Sequence, residues 1–151
     1  MSEVPSQVDD DVLRALGDQL MRISRRRPTS YPGSRLDGSA FKILWRLVNA
    51  GARTLRELAE DLELDQSTIN RQVRASQADG LVERFDDPGQ VSRPVRATDA
   101  GVVAYRHDAA LRADALRHAL GLIGPDAAEA LIAGMGAFND ALDAAHARHE
   151  D

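Results

Sequence analysis

Leucine, valine and isoleucine recur at three- and four-residue intervals through most of this chain, and the intervals break at a few Gly- and Pro-rich points. Val12, Leu13, Leu16, Leu20 and Ile23 predict a first helix over residues 8–27. Asp9–Asp11 at its start and Arg25–Arg27 at its end complement the helix dipole, as solvated helix ends do. The run 28–38, rich in Pro, Gly and Ser, interrupts the pattern. A second helix follows over 39–50 with Phe41, Leu44, Leu47 and Val48 on one face, and Gly51 ends it. Thr54, with Glu57 three residues on, predicts a capping box. It opens a third helix whose Leu55, Leu58, Ala59 and Leu62 fall at i, i+3, i+4, i+7.

The next helix, which Asp65 is placed to cap, has a different balance. Its apolar positions are Ile69, Val73 and the weaker Ala75 and Ala78, whereas Ser67, Asn70, Arg71 and Arg74 share the other face at helical spacing. Gly80 supplies a left-handed cap and Leu81 returns to the core. Residues 81–86 alternate as a strand, Asp87-Pro88-Gly89 carries turn chemistry, and residues 92–97 form the return strand. Pro94 removes one ladder donor, which an edge strand tolerates, so the hairpin is expected to be all edge. Thr98 caps a long helix to about Ile123, with Val102, Tyr105, Ala109, Ala113, Leu116 and Leu120 along one side. After Gly124-Pro125-Asp126, a second capping-box pattern, Asp126 with Glu129, opens a last helix carrying Leu131, Met135, Phe138 and Leu142 toward Arg148. The expected fold class is mainly α with a small β-wing. A short helix, a turn, an exposed polar helix and a hairpin, in that order, read as a winged helix-turn-helix, which points at duplex DNA.

Composition narrows the alternatives. With 151 residues, 43% of them hydrophobic, the chain is long enough for about one domain with a real core. It shows no run of about 18 apolar residues and no charged-then-apolar leader, so no membrane span is expected and a cytoplasmic location is. The absence of cysteine removes disulfides and thiolate zinc sites. The net charge of −5 runs against the basic footprint usual in a duplex binder. Between Arg53 and Arg96, seven arginines face nine acids. The distribution is more favourable: residues 66–78 carry Arg71 and Arg74 with no acid, and residues 88–98 carry Arg93 and Arg96 with none.

Taken in order, FKILWRLV, TLRELAEDLEL, Ser67-Thr68-Ile69-Asn70-Arg71, Gly80-Leu81-Val82 and Thr98-Asp99-Ala100-Gly101 resemble the multiple-antibiotic-resistance regulator (MarR) family of winged-helix transcription factors. The resemblance covers nearly the whole chain. It implies one MarR-like domain over 1–151: a winged helix-turn-helix head over 39–98, and dimerisation helices over 8–27 and 99–149. It also implies a ligand-responsive homodimeric repressor of a pseudo-palindromic operator, its two recognition helices about 34 Å apart, one turn of double-stranded DNA. Ser67, Thr68, Asn70, Arg71 and Arg74 would enter the major groove, where arginine pairs with guanine and asparagine with adenine; Arg93 and Arg96 would lie along phosphate or reach the minor groove. Three departures stand out. The family's Asp-x-Arg near the wing tip is replaced by Gly-Gln-Val-Ser-Arg, Pro94 occupies the return strand, and Ala75-Ser76 replace an Arg-Leu pair.

By the same resemblance, a small aromatic or anionic effector would bind between dimer base and reading heads and release DNA, with Tyr31, Phe41, Trp45 and His107 as candidate lining. Aromatic residues at helical spacing are otherwise plain core. His146 and His149 with Glu150 and Asp151 bring metal-ligand types to one terminus, where a frayed polar helix end is the better reading. No phosphate-binding loop, nucleotide fingerprint or nucleophile signature is present, so neither an enzyme nor a cofactor is expected. The rival to a DNA reader is a winged-helix protein-interaction module, which the acidic total favours.

Overall fold

The computed structural model describes residues 8–26 and 31–147. The chain divides into two compact units, with the boundary between Ala109 and Ala110.

In the first unit, α1 (Asp10–Ser24) starts after Asp9, whose side chain accepts the Asp11 N–H. The cap trims the expected 8–27 range. All the apolar residues of α1, from Val12 to Ile23, are exposed. α2 (Gly38–Ala50) is capped by Asp37 and closed by Gly51 at φ 82°. It buries Ala40, Ile43, Leu44 and Leu47, while Phe41 and Val48 of the expected face are only half-buried. α3 (Leu55–Asp61) forms the predicted box: Thr54 Oγ1 accepts from the Glu57 N–H at 3.2 Å, and Glu57 Oε2 accepts from the Thr54 N–H at 2.8 Å. Asp61 receives Nε of Arg46 at 2.5 Å and Nε of Arg53 at 3.3 Å, tying α3 to α2 and to the segment between them. The Arg46 hydrogen bond, more than any other influence, holds the Asp61 carboxyl below the usual carboxylate range.

α4 (Gln66–Ala78) buries Ile69, Val73 and Ser76, an i, i+4, i+7 stripe. Ala75 and Ala78, expected to help bury the helix, are exposed, and Ser76 takes the place on the buried face. A small hydroxyl fits where the end of α4 packs close. At that end Gly80, at φ 73°, donates its N–H to Gln77 O, and Leu81 donates to Ser76 O, so two otherwise orphaned carbonyls are satisfied.

β1 (Val82–Arg84) and β2 (Val95–Ala97) pair antiparallel in the register Val82↔Ala97, Glu83↔Arg96, Arg84↔Val95. The expectation of a hairpin that is all edge is corrected. Val95 also exchanges both backbone hydrogen bonds with Arg53, at 3.0 and 2.7 Å, so β2 lies between two partners and Val95 is fully buried. Pro94 survives because it sits just outside the ladder: it is buried, and its carbonyl accepts from the Phe85 N–H. The turn is as expected, with Asp87 accepting from the Gly89 and Gln90 N–H groups.

α5 (Asp99–Ile123) begins where Thr98 accepts the Gly101 N–H and donates its hydroxyl to Gly80 O at 2.6 Å, joining the end of α4 to its own first turn. The buried residues of α5 are Gly101, Ala104 and Asp108, one position away from the expected Val102, Tyr105 and Ala109. Gly101 lies against the Leu81 carbonyl, which a Cβ would approach to 2.0 Å. Asp108, fully buried, accepts the N–H groups of Arg35 and Leu36 at 2.9–3.1 Å. The core of this unit gathers Leu36, Ile43, Leu44, Leu47, Leu58, Ile69, Val73, Val82, Val95 and Ala104.

The second unit holds the rest of α5 and α6 (Pro125–Ala147). Pro125 takes the first helical position, so Asp126 and Glu129 fall inside the helix and the capping box expected there does not form. Asp126 instead places negative charge in the first turn. α6 buries no residue, and Leu131, Ile132, Met135, Phe138 and Leu142 are all exposed. Among the described residues no helix is long and apolar enough to cross a membrane, and no group of three metal-ligating side chains occurs. His146 lies against Leu142 O at 2.9 Å; His149, Glu150 and Asp151 lie outside the described residues.

Candidate nucleic-acid interface

Because Ile69, Val73 and Ser76 anchor α4 on the core, the opposite side of the helix has to face outward. Ser67, Arg71 and Arg74 are exposed there, and Thr68 and Asn70 are half-buried at its flank. Arg71 and Arg74 make no ion pair or hydrogen bond with a described residue, so both guanidinium groups are available to a ligand. Asn70 accepts from Gln66 Nε2 through its side-chain oxygen at 3.2 Å. That assignment leaves the Asn70 amide N–H groups unused by this bond.

The wing arginines stand differently. Arg93 Nε pairs with Asp86 at 2.9 Å, and Arg96 Nε pairs with Glu83 at 2.8 Å, its guanidinium lying 4.5 Å from the centre of the Phe85 ring. Both pairs are exposed, where screening keeps such interactions worth about 1 kcal/mol or less. A phosphate can therefore compete for either arginine, but each arrives with its own acid. The basic run at residues 88–98 is neutralised across the hairpin by residues 83 and 86. The register Glu83↔Arg96 makes the first of these pairings a direct consequence of strand alignment.

Asp65 does more than the expected capping. It accepts the Thr68 N–H at 2.7 Å, the Ser67 hydroxyl at 2.6 Å and the Thr68 hydroxyl at 2.8 Å. These bonds, that from Ser67 foremost, hold its carboxyl down at about 2. A carboxyl whose pKa is lower in the folded state stabilises the fold above its unfolded value and loses that contribution as pH falls through its folded value. The difference in urea midpoint between wild type and Asp65→Asn, at fixed protein concentration, is therefore expected to stay constant from neutral pH to about 4 and to close toward about 2. A gap that is already closing at pH 6 contradicts this.

The four candidate effector-lining residues all lie in the first unit. His107 Nε2 is 2.9 Å from Gly33 O, which ties α5 to the segment before α2. Phe41 packs against Tyr105 with ring centres 5.4 Å apart, and Tyr105 Oη accepts from Asn49 at 2.9 Å. Trp45, one turn after Phe41, is 46% exposed, and Tyr31 is half-buried. Tyr105 and Asn49 were not foreseen as neighbours of this group, although Tyr105 lies two residues before His107 in the sequence.

Fold and exposed stripe together define a winged helix-turn-helix protein. A sequence profile of the MarR family matches residues 36–90. Over 59 residues the chain is 42% identical to YxaD of Bacillus subtilis, an uncharacterized HTH-type transcriptional regulator; the match spans 38% of this chain and 41% of that protein. The fold is similar to that of BpsR from Bordetella bronchiseptica, whose DNA binding is regulated by 6-hydroxynicotinic acid: TM-score 0.67, 20% identity, 83% of this chain and 98% of that one. It is equally similar to PcaV of Streptomyces coelicolor, solved with its natural ligand: TM-score 0.66, 21% identity, 94% of this chain and 99% of that one. The family match thus falls on the winged-helix head, about a third of the chain, and the solved structures share its fold.

Proposed function

We propose that the protein is a cytoplasmic transcriptional regulator that acts as a ligand-responsive homodimeric repressor, with α4 reading the major groove of a pseudo-palindromic operator. The observation that carries this reading is the pair of unpartnered arginines, Arg71 and Arg74, on the outward stripe of a helix whose other side is anchored in the core. Arginine in that position can pair in bidentate fashion with guanine O6 and N7. Arg93 and Arg96 meet phosphate with an acid, Asp86 or Glu83, already paired to each. Their share of the affinity is therefore smaller than that of Arg71. The apolar faces left exposed on α1 and α6 suit a dimer interface, since uncovered apolar surface on this scale calls for a partner. An aromatic acid or similar effector, of the kind that regulates BpsR, would bind near Tyr31, Phe41, Trp45 and His107.

The test uses duplexes recovered by selection from a random-sequence pool on the full-length protein. Arg71→Ala is expected to weaken binding to them about tenfold or more and to relax preference at one base pair in each half-site. Unchanged affinity and unchanged salt dependence in a folded Arg71→Ala dimer sink the assignment.

A further inference from the structure

The hydroxyl of Ser67 has its proton committed before any DNA arrives. Asp65, with its carboxyl held down at about 2, is ionised at neutral pH and can only accept. The 2.6 Å contact between Ser67 Oγ and Asp65 Oδ1 therefore has the serine as donor, and the short distance is that of a charge-assisted bond. Thr68 Oγ1 is bound in the same way to Asp65 Oδ2 at 2.8 Å, so the carboxylate orients both hydroxyls at once. What Ser67 still offers outward is a pair of lone pairs. Further along the helix the remaining groups are of the opposite kind: the amide N–H groups of half-buried Asn70 and the exposed guanidinium groups of Arg71 and Arg74 donate only.

We infer that Asp65 is a specificity-determining positioning residue: by holding the Ser67 hydroxyl as an acceptor, it makes the first turn of α4 select a base with an exocyclic amino group, adenine or cytosine. In the major groove, adenine N6 and cytosine N4 are the only hydrogen-bond donors, whereas guanine O6 and thymine O4 accept. Facing Ser67, an amino group completes a hydrogen bond. A carbonyl oxygen there meets lone pairs, unless Ser67 gives up its bond to the carboxylate. The recognition helix thus carries an acceptor at its start and donors beyond it, so amino-bearing and carbonyl-bearing bases are read in a fixed order along each half-site. This inference rests on the DNA-reading role of α4 proposed above.

Asp65→Gly keeps a workable helix cap, because glycine at that position costs only a few tenths of a kcal/mol relative to aspartate, and it removes both oxygens that hold the Ser67 and Thr68 hydroxyls. Binding is measured for wild type, Asp65→Gly and Ser67→Ala on the selected duplexes, on every single-base-pair replacement of them, and on duplexes in which one adenine is exchanged for purine, which lacks the 6-amino group. For wild type, one position per half-site is expected to prefer adenine or cytosine by about fivefold, the factor that one ordinary hydrogen bond contributes. Removal of the 6-amino group there costs wild type the same factor. Asp65→Gly frees the Ser67 hydroxyl to turn and donate, and so relaxes or reverses that preference; Ser67→Ala removes it, and both keep the preference that depends on Arg71. If wild type and Asp65→Gly share one preference profile, or Ser67→Ala retains the amino preference, the inference is overturned while the reading role of α4 stands. If no duplex is recovered at all, the reading role falls and the inference with it.

Discussion

Gly101→Ala is expected to destabilise the protein by about 3 kcal/mol or more. The cause is steric and not conformational, since Gly101 is an ordinary helical residue: its Cβ would lie 2.0 Å from the Leu81 carbonyl oxygen and 3.0 Å from Leu44 Cδ2. That carbonyl cannot simply retreat, because it also accepts the Thr98 N–H at 3.0 Å at the junction of α4, β2 and α5. Gly80→Ala is the control. There the backbone sits at φ 73° with nothing near the added methyl, so only the cost of the left-handed conformation applies, about 1 kcal/mol. Urea denaturation at one protein concentration separates the two. Equal costs at positions 80 and 101 contradict the packing described for α5.

Asp108→Ala is expected to cost about 3 kcal/mol and to free the segment before α2. The carboxylate is fully buried and accepts two consecutive backbone N–H groups, those of Arg35 and Leu36, so its removal strands polar groups that have no other described partner. Hydrogen exchange at the Leu36 amide should rise toward that of an unprotected site, while the Val95 amide, held by Arg53, keeps its protection. Uniform loss of protection across both amides would show a global effect and not a local strap.

Much of this fold is legible from local rules. The capping box at Thr54 and Glu57, the caps at Asp65 and Gly80, and the α4 stripe depend on residues within four positions of one another, and the structure has them as the spacing predicts. What local rules cannot supply is the partner brought in from afar. Asp108 reads as one more helix-surface acid, because its ligands lie more than 70 residues earlier. The wing reads as an isolated hairpin because Arg53, which makes β2 a central strand, belongs to a different segment. At the interface, Arg71 and Arg74 stand out because no acid lies near them in the sequence. Arg93 and Arg96 look equally free until the hairpin register places Glu83 and Asp86 beside them. The second capping box fails for a local reason: proline at the first helical position moves the start of α6 ahead of Asp126.

On the reading proposed above, a chain of net charge −5 nevertheless reads duplex DNA through the unpartnered arginines of α4. The most direct measurement is a titration of full-length protein against a labelled duplex from the selected pool, repeated over a range of salt concentrations. Tight binding is expected at low salt, with a linear fall of log affinity with log salt at a slope of about −0.9 for each phosphate neutralised. No binding to any duplex at low salt would contradict it, and would leave the winged helix as a surface for protein partners.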